Sequence, residues 1–279
     1  MAGIRTASLH LRAALRLVRR YGLSPRRALE PLDERVVFVI GCPRSGTTFL
    51  AGAIGSLAGF VDLGEVAPLK AAIPALHRLP EDEAARRIRG ILAATRRLGL
   101  VGGRRAVEQT PETAFVAAAA GAAFPQAGLV HIVRDGRDVV CSLLDRGWLR
   151  AGRGGGDDAG LPYGAEARFW VEPGREGDFS AASDARRAAW AWRRYVSAAK
   201  SAPAGRVHEV RYELLSSNPD AVAADLAEFL GAPVDRLADA LRGAHGASVG
   251  RWRRDLTAAE LAEIEAECGE LLAALGYLR

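Results

Sequence analysis

The residues with the strongest chemical signature are Gly41-Cys42-Pro43-Arg44-Ser45-Gly46-Thr47-Thr48, which follow directly on the apolar run Val36-Val37-Phe38-Val39-Ile40. Glycines at 41 and 46 let the backbone turn tightly, so that consecutive N–H groups can point inward. The helix expected over 47–57 presents its positive N-terminus to the same point. Arg44 adds a cation, and Ser45, Thr47 and Thr48 add hydroxyls. An anion belongs in such a loop. The Gly-x4-Gly spacing is that of a nucleotide P-loop, yet Thr47 stands where the lysine should follow the second glycine. A P-loop kinase or nucleotide hydrolase needs that lysine on its phosphates and an acid to help hold magnesium, which makes this reading the weaker alternative.

A second segment has related chemistry. The run Leu129-Val130-His131-Ile132-Val133 ends in Arg134-Asp135-Gly136-Arg137-Asp138, and Ser142 follows eight residues after Arg134. An arginine at a strand's C-terminal end and a serine about one turn inside the next helix can converge on one phosphate. Alone, the segment reads as a structural Arg–Asp pair. Beside the first loop it reads as a second anion site.

The elements that must position these residues follow from pattern. Continuous β-branched and aromatic runs at 36–40 and 129–133 are those of strands buried on both faces, with weaker strands at 207–212 and 106–108. Helices are expected over 47–57, 81–98, 113–122, 138–144, 185–201, 219–230 and 257–275. Several carry N-terminal signals, such as Asn218 before Pro219 and Thr257 three residues before Glu260. Strand alternating with helix implies an α/β fold: a doubly wound parallel sheet, helices on both faces, with a P-loop-like anion loop after its first strand. Residues 147–184 break the rhythm with Gly-Arg-Gly-Gly-Gly-Asp-Asp at 152–158 and interspersed aromatic residues. The expectation is a mobile loop that shapes a pocket.

With 279 residues, 49% hydrophobic and 25% charged, the chain suits one large domain, expected over 36–279 after a basic helical segment at 1–35. Three cysteines without a CxxC pair and five scattered histidines imply neither a disulfide framework nor a classical zinc site. A net charge of +5 suits an anionic small molecule, and no nucleic-acid motif accompanies it. The N-terminal segment alternates leucines with arginines, so it is neither a signal-peptide core nor a span. It reads as a helix packed on the domain, with contact to a membrane surface as the alternative. The chain reads as soluble and cytoplasmic.

Taken together, Pro43-Arg44-Ser45-Gly46-Thr47-Thr48 and the Arg134/Ser142 pair resemble the cofactor-binding motifs of the sulfotransferases that use 3′-phosphoadenosine 5′-phosphosulfate (PAPS). The first is similar to that family's 5′-phosphosulfate loop and the second matches its 3′-phosphate pair. Arg211-Tyr212-Glu213-Leu214-Leu215 resembles the family's Tyr-Glu-Asp-Leu segment, whose tyrosine lies near the adenine. Ser248-Val249-Gly250-Arg251-Trp252 resembles the C-terminal segment that closes over the cofactor. The resemblance implies PAPS as donor and 3′,5′-adenosine bisphosphate (PAP) as product. It implies no metal, and an acceptor hydroxyl on a small molecule, glycan, lipid or peptide. Cofactor contacts would fall to Pro43, Arg44, Ser45, Gly46, Thr47, Thr48, Arg134, Ser142, Tyr212, Ser248 and Arg251.

The resemblance also suggests a general base, Glu65, in Leu63-Gly64-Glu65-Val66, with His77, Glu108 and His131 as fallbacks. His131 lies within a strand and reads first as a core residue. Relatives tend to carry a lysine where this chain has Gln109. The loss of that cation leaves room for Arg104, Arg105 or Arg251 to replace it, or for a protein that binds PAPS or PAP with weak or no transfer. Trp190, Trp192 and Tyr195 read as core aromatics of their helix.

Overall fold

The computed structural model describes residues 2–203 and 205–278, with side chains from Thr6 onward in the first helix. Five parallel strands, β1 (Val37–Ile40), β2 (Phe60–Gly64), β3 (Arg105–Glu108), β4 (Gly128–Val133) and β5 (Val207–Arg211), form one sheet in the order β2-β3-β1-β4-β5. The helices of nine residues or more are α1 (Ala2–Tyr21), α2 (Thr47–Gly55), α3 (Ala67–Leu76), α4 (Glu81–Leu98), α5 (Gly136–Arg146), α6 (Asp184–Lys200), α7 (Pro219–Leu230) and α8 (Ala258–Ala274). The expected α/β doubly wound architecture is therefore present.

Strand pleating divides the core between the two faces of the sheet. Val36, Phe38 and Ile40 pack into a cluster that includes Ile88 and Leu92 of α4, together with Trp190 and Trp192 of α6. Val37 and Val39 pack on the other face with Leu50 and Ile54 of α2 and Leu226 of α7. Burial of β1 on both faces explains its unbroken apolar run.

Strand order decides where a ligand can sit. Beyond β1 the chain continues to β2 and β3 on one side, whereas β4 leads to β5 on the other, so the winding reverses between neighbours β1 and β4. A crevice opens at the carboxyl ends of strands at such a switch point. The turns that leave these strands are the two arginine-bearing segments.

α1 packs on the domain through Leu9, Ala13, Ala14 and Leu17, while Leu11 and Leu15 remain exposed. Its Arg20 pairs with Asp62 at 2.6 Å, and Arg16 donates to the backbone oxygens of Leu63 and Glu65. This helix therefore braces the turn that carries Glu65. No helix among the described residues is long and apolar enough to cross a membrane.

β2 and α3 were not anticipated. Asp62 and Gly64 interrupt the five-residue strand, and Pro74 interrupts the helix, which masks both periodicities.

Candidate functional site: an arginine cradle beside an aromatic cavity

The loop after β1 folds as its composition requires. The Ser45 N–H donates to Cys42 O at 3.1 Å, Arg44 adopts φ 75°, and Gly46 adopts φ 99° as the N-cap of α2. A Cβ on Gly46 would lie 2.7 Å from the Tyr212 ring, so glycine is required by space as well as by conformation. A left-handed non-glycine residue such as Arg44 is strained, and strain of this kind gathers at ligand sites. No side chain caps α2, which leaves the first-turn amides at Thr47 and Thr48 free of a capping group.

The two segments expected as separate anion sites form one cradle. Arg44 donates its Nε–H to Ser142 Oγ at 2.9 Å, and Arg134 donates to Arg44 O at 3.0 Å and Ser248 O at 2.6 Å. Arg134 also lies over the Tyr212 ring, 4.3 Å from its centroid, and the Tyr212 hydroxyl sits 3.1 Å from Ser248 Oγ. Ser142 is the seventh residue of α5, nearly two turns in rather than one. Burial, then repulsion from Arg146 and Arg134, lowers the pKa of Arg44. A half-buried guanidinium crowded by two others is a site short of negative charge.

The rest of the Arg134–Asp138 run is structural. Asp135 caps α5 by accepting from Arg137 N at 3.0 Å and also binds the Arg137 side chain at 2.7 Å. Asp138 accepts from Gly250 N at 2.7 Å and Trp252 N at 3.1 Å, which docks the C-terminal segment on α5 and brings Ser248 to the cradle. Arg251 lies on that segment, but its guanidinium is held by Asp145 at 2.8 Å and Asp255 at 2.6 Å.

Beside Pro43 lies a cavity of about 330 Å³. Cys42 and Pro43 of the loop, Glu65, Lys70 of α3, Glu112 and Tyr195 of α6 line it, together with Trp148, Asp157, Asp158, Tyr163, Arg168 and Trp170 from the Gly-rich insertion. The insertion is anchored there by Asp157. Its Oδ1 accepts from Ala159 N and Leu161 N, and its Oδ2 lies 3.0 Å from Lys70 Nζ.

Lys70 is the residue that sequence reasoning missed. Nζ is 2.8 Å from Glu65 Oε2, and the side chain is only 10% exposed. Burial alone would lower its pKa, but the carboxylates of Glu112 and Glu65 outweigh that and raise it above the ordinary lysine value. A signal existed: among 38 basic residues only Lys70 and Lys200 are lysine. A rare ammonium in an arginine-dominated chain marks a place where a compact point charge is wanted.

The other expected cations stand elsewhere. Arg104 lies over the Tyr21 ring, and Arg105 opens β3 and donates to Arg35 O at 2.6 Å. Both are at the amino end of a parallel strand, the opposite end from the cradle. Gln109 is buried, with Oε1 unpartnered.

Of the fallback bases, none lines the cavity. Glu108 is fully buried with Oε1 bound by Thr110 N at 2.7 Å and Oε2 by Thr113 Oγ1 at 3.1 Å, and burial pushes its pKa up to about 8. His131 is buried in β4, which, with Lys200, pushes its pKa down to about 4. His77 contacts Phe115 O and packs against the rings of Phe115 and Phe169. Trp190 and Trp192 are core residues, as expected, whereas Tyr195 is buried yet reaches the cavity wall.

Unpartnered polar atoms reveal what the site lacks. Among the described residues, nine buried side-chain atoms have no hydrogen-bond partner, and five of them belong to the cradle or the cavity wall: those of Ser45, Arg134, Glu112, Arg168 and Trp170. Native interiors seldom leave such groups unpaired, so this concentration fits a ligand that would complete them. Ser45 Oγ and Arg134 Nε fit an anionic, phosphate-bearing group.

Solved structures share this fold. The sulfotransferase domain from the curacin biosynthetic pathway matches with a TM-score of 0.54 at 15% identity, covering 86% of this chain and 98% of that one. A sulfotransferase from Mycobacterium avium matches with a TM-score of 0.52 at 13% identity, covering 94% and 81%. A mouse sulfotransferase complexed with PAP matches with a TM-score of 0.51 at 15% identity, covering 88% of each. No curated protein sequence matches. The family model described as "Sulfotransferase family" matches residues 36–236, from the first strand past both arginine segments and β5, so the chain belongs to the sulfotransferase family.

Proposed function

We propose that the chain transfers a sulfuryl group from PAPS to an acceptor hydroxyl. The observation that carries this reading is the shared cradle, in which Arg44 reaches Ser142 and Arg134 reaches the Arg44 carbonyl at the sheet's switch point. PAPS, when bound, supplies the activated sulfuryl group. Arg44, the Ser45 hydroxyl and the amides of Gly46, Thr47 and Thr48 hold the 5′-phosphosulfate and stabilise the charge that grows on the departing phosphate. Arg134 and Ser142 hold the 3′-phosphate, with Tyr212, Ser248 and Arg251 on the adenosine side. The mouse protein of the same fold binds PAP, which agrees with that ligand class.

Glu65 lines the cavity next to Pro43, where an acceptor hydroxyl would meet the loop. It takes the hydroxyl proton as the acceptor oxygen bonds to sulfur and the bridging sulfur–oxygen bond breaks, releasing PAP. Lys70, 2.8 Å from Glu65 Oε2, holds that carboxyl in place and supplies a cation where Gln109 supplies none.

Gln109 favours a second reading, cofactor binding with weak or no transfer. One experiment separates the two. With radiolabelled PAPS and a panel of alcohols and phenols, the first reading requires label in an acceptor. Tight PAP binding with label transferred to none would establish the second.

A further inference from the structure

The cavity wall holds a buried carboxyl that the transfer chemistry does not use. Glu112, in the turn Pro111–Val116, is only 4% exposed, whereas the Glu65 side chain is 35% and that of Asp158 61% exposed. Glu112 Oε1 accepts from the Tyr195 hydroxyl at 3.0 Å, and its Oε2 has no partner. Burial holds this carboxyl above its ordinary range, against the pull of Lys70. An unsatisfied buried acceptor is costly, and it persists only if its surroundings hold it in place. The turn is held by the buried Glu108 carboxyl, which binds Thr110 and Thr113 on either side of Glu112.

Apart from its charged groups the cavity wall is largely apolar and aromatic, with Leu143, Leu149, Trp148, Tyr163 and Trp170. The volume of about 330 Å³ is at the small end of the roughly 300–1,000 Å³ typical of small-molecule sites, which suits one ring-sized body. Four carboxyl groups, of Glu65, Glu112, Asp157 and Asp158, face two cations, Lys70 and Arg168. Lys70 already pairs with Glu65 and Asp157. An anionic acceptor would meet uncompensated repulsion there.

Resting on the sulfotransferase reading above, we propose that the acceptor is a small aromatic or alicyclic alcohol with a second hydrogen-bond donor, a hydroxyl or an amine, besides the reacting hydroxyl, and that Glu112 receives that donor. A site built to pair a buried oxygen rejects an analogue that leaves it unpaired far more strongly than an apolar wall rejects a missing methylene.

Calorimetry on the PAP-loaded protein tests this with four phenols that share one ring: para-ethylphenol, tyrosol, tyramine and phloretate. Tyrosol and tyramine should bind at least about tenfold more tightly than para-ethylphenol, and phloretate, a carboxylate, should bind worst. Glu112→Ala should erase the advantage of both favoured ligands. Glu112→Gln keeps an acceptor for Tyr195 and decides the matter if the alanine variant fails to fold: it should keep the preference for tyrosol and lose that for tyramine. Equal affinity for the four phenols, no binding by any of them, either preference surviving Glu112→Ala unchanged, or the tyramine preference surviving Glu112→Gln unchanged would overturn the proposal. PAP titration of the wild type comes first. Failure there defeats the sulfotransferase reading, whereas PAP binding without discrimination among the phenols defeats only the role of Glu112.

Discussion

Arg44 donates its Nε–H to Ser142 Oγ at 2.9 Å although 98 residues separate them. The contact exists because β1 and β4 are neighbours at the reversal of the winding, so that the turn leaving one strand faces the helix that follows the other. Arg134 closes the arrangement by binding the Arg44 carbonyl from the end of β4. Three guanidiniums, of Arg44, Arg134 and Arg146, are thereby gathered where their mutual repulsion calls for an anion.

Gly46→Ala tests the loop. The new Cβ would stand 2.7 Å from the Tyr212 ring at a φ of 99° that alanine resists. A destabilisation of about 1–3 kcal/mol and loss of PAP affinity by at least tenfold are expected. Denaturant melts and PAP titration check this, and a variant that binds PAP as the wild type does would show that the turn is not the anion site.

Lys70→Met removes the cation shared by Glu65 and Asp157 and leaves their carboxylates facing each other across the cavity. Loss of one partner from a largely buried ion network costs about 3–5 kcal/mol when burial is complete, and somewhat less is expected here because Glu65 is partly exposed. The insertion should loosen with it. Trypsin should then cut faster at the exposed Arg150 and Arg153, whereas an unchanged cleavage rate would show that Asp157 does not anchor this segment.

For Glu65→Gln, turnover should fall by about 10²–10⁴-fold while PAP affinity stays within a factor of about two. A single-turnover assay with labelled PAPS provides the measurement, and an undiminished rate would remove Glu65 from the role of base.

Much of this arrangement was legible from local residue pattern. The continuous apolar run of β1 and the loop glycines around Arg44 located the cradle, and Arg134 with Ser142 marked its second half. Four things were hidden because they depend on tertiary placement. β2 is short and carries Asp62 and Gly64, so it lacks the periodicity of a strand. Lys70 on a helix looks like a solvated residue until Asp157, 87 positions later, comes back to it. Arg104 and Arg105 are close in sequence to Gln109, yet a parallel strand separates its two ends in space, which removes them from the cradle. Glu112 follows Gln109 by only three residues, but nothing local signals that its carboxyl turns into a cavity walled by an insertion.

Glu108 gives a pH dependence. Its folded pKa of about 8 is raised above the ordinary 4.5, so between those values the folded protein holds a proton that the unfolded chain has released. Stability from this group is therefore fully present below about pH 4.5 and declines as pH rises toward 8. His131 acts in the opposite direction. Its folded pKa of about 4 lies below the ordinary 6.5, so its contribution is present above pH 6.5 and is lost as pH falls toward 4. From pH 6.5 to 8 the His131 contribution is constant, and the Glu108→Gln variant separates Glu108 from Glu112, whose pKa burial also raises. Urea melts across it should show falling stability in the wild type and a shallower slope in Glu108→Gln; identical slopes would contradict the assignment.

The most direct test of the cradle is a PAP titration of the wild type and of Arg134→Ala, followed by calorimetry, with AMP as the control ligand. PAP should bind the wild type more tightly than AMP, and Arg134→Ala should lose about 10- to 100-fold in PAP affinity, the equivalent of charge-assisted hydrogen bonds of about 1.5–3 kcal/mol, with little change for AMP. No PAP binding by the wild type, or equal PAP affinity in the two proteins, would contradict the claim that Arg44 and Arg134 together hold a doubly phosphorylated adenosine.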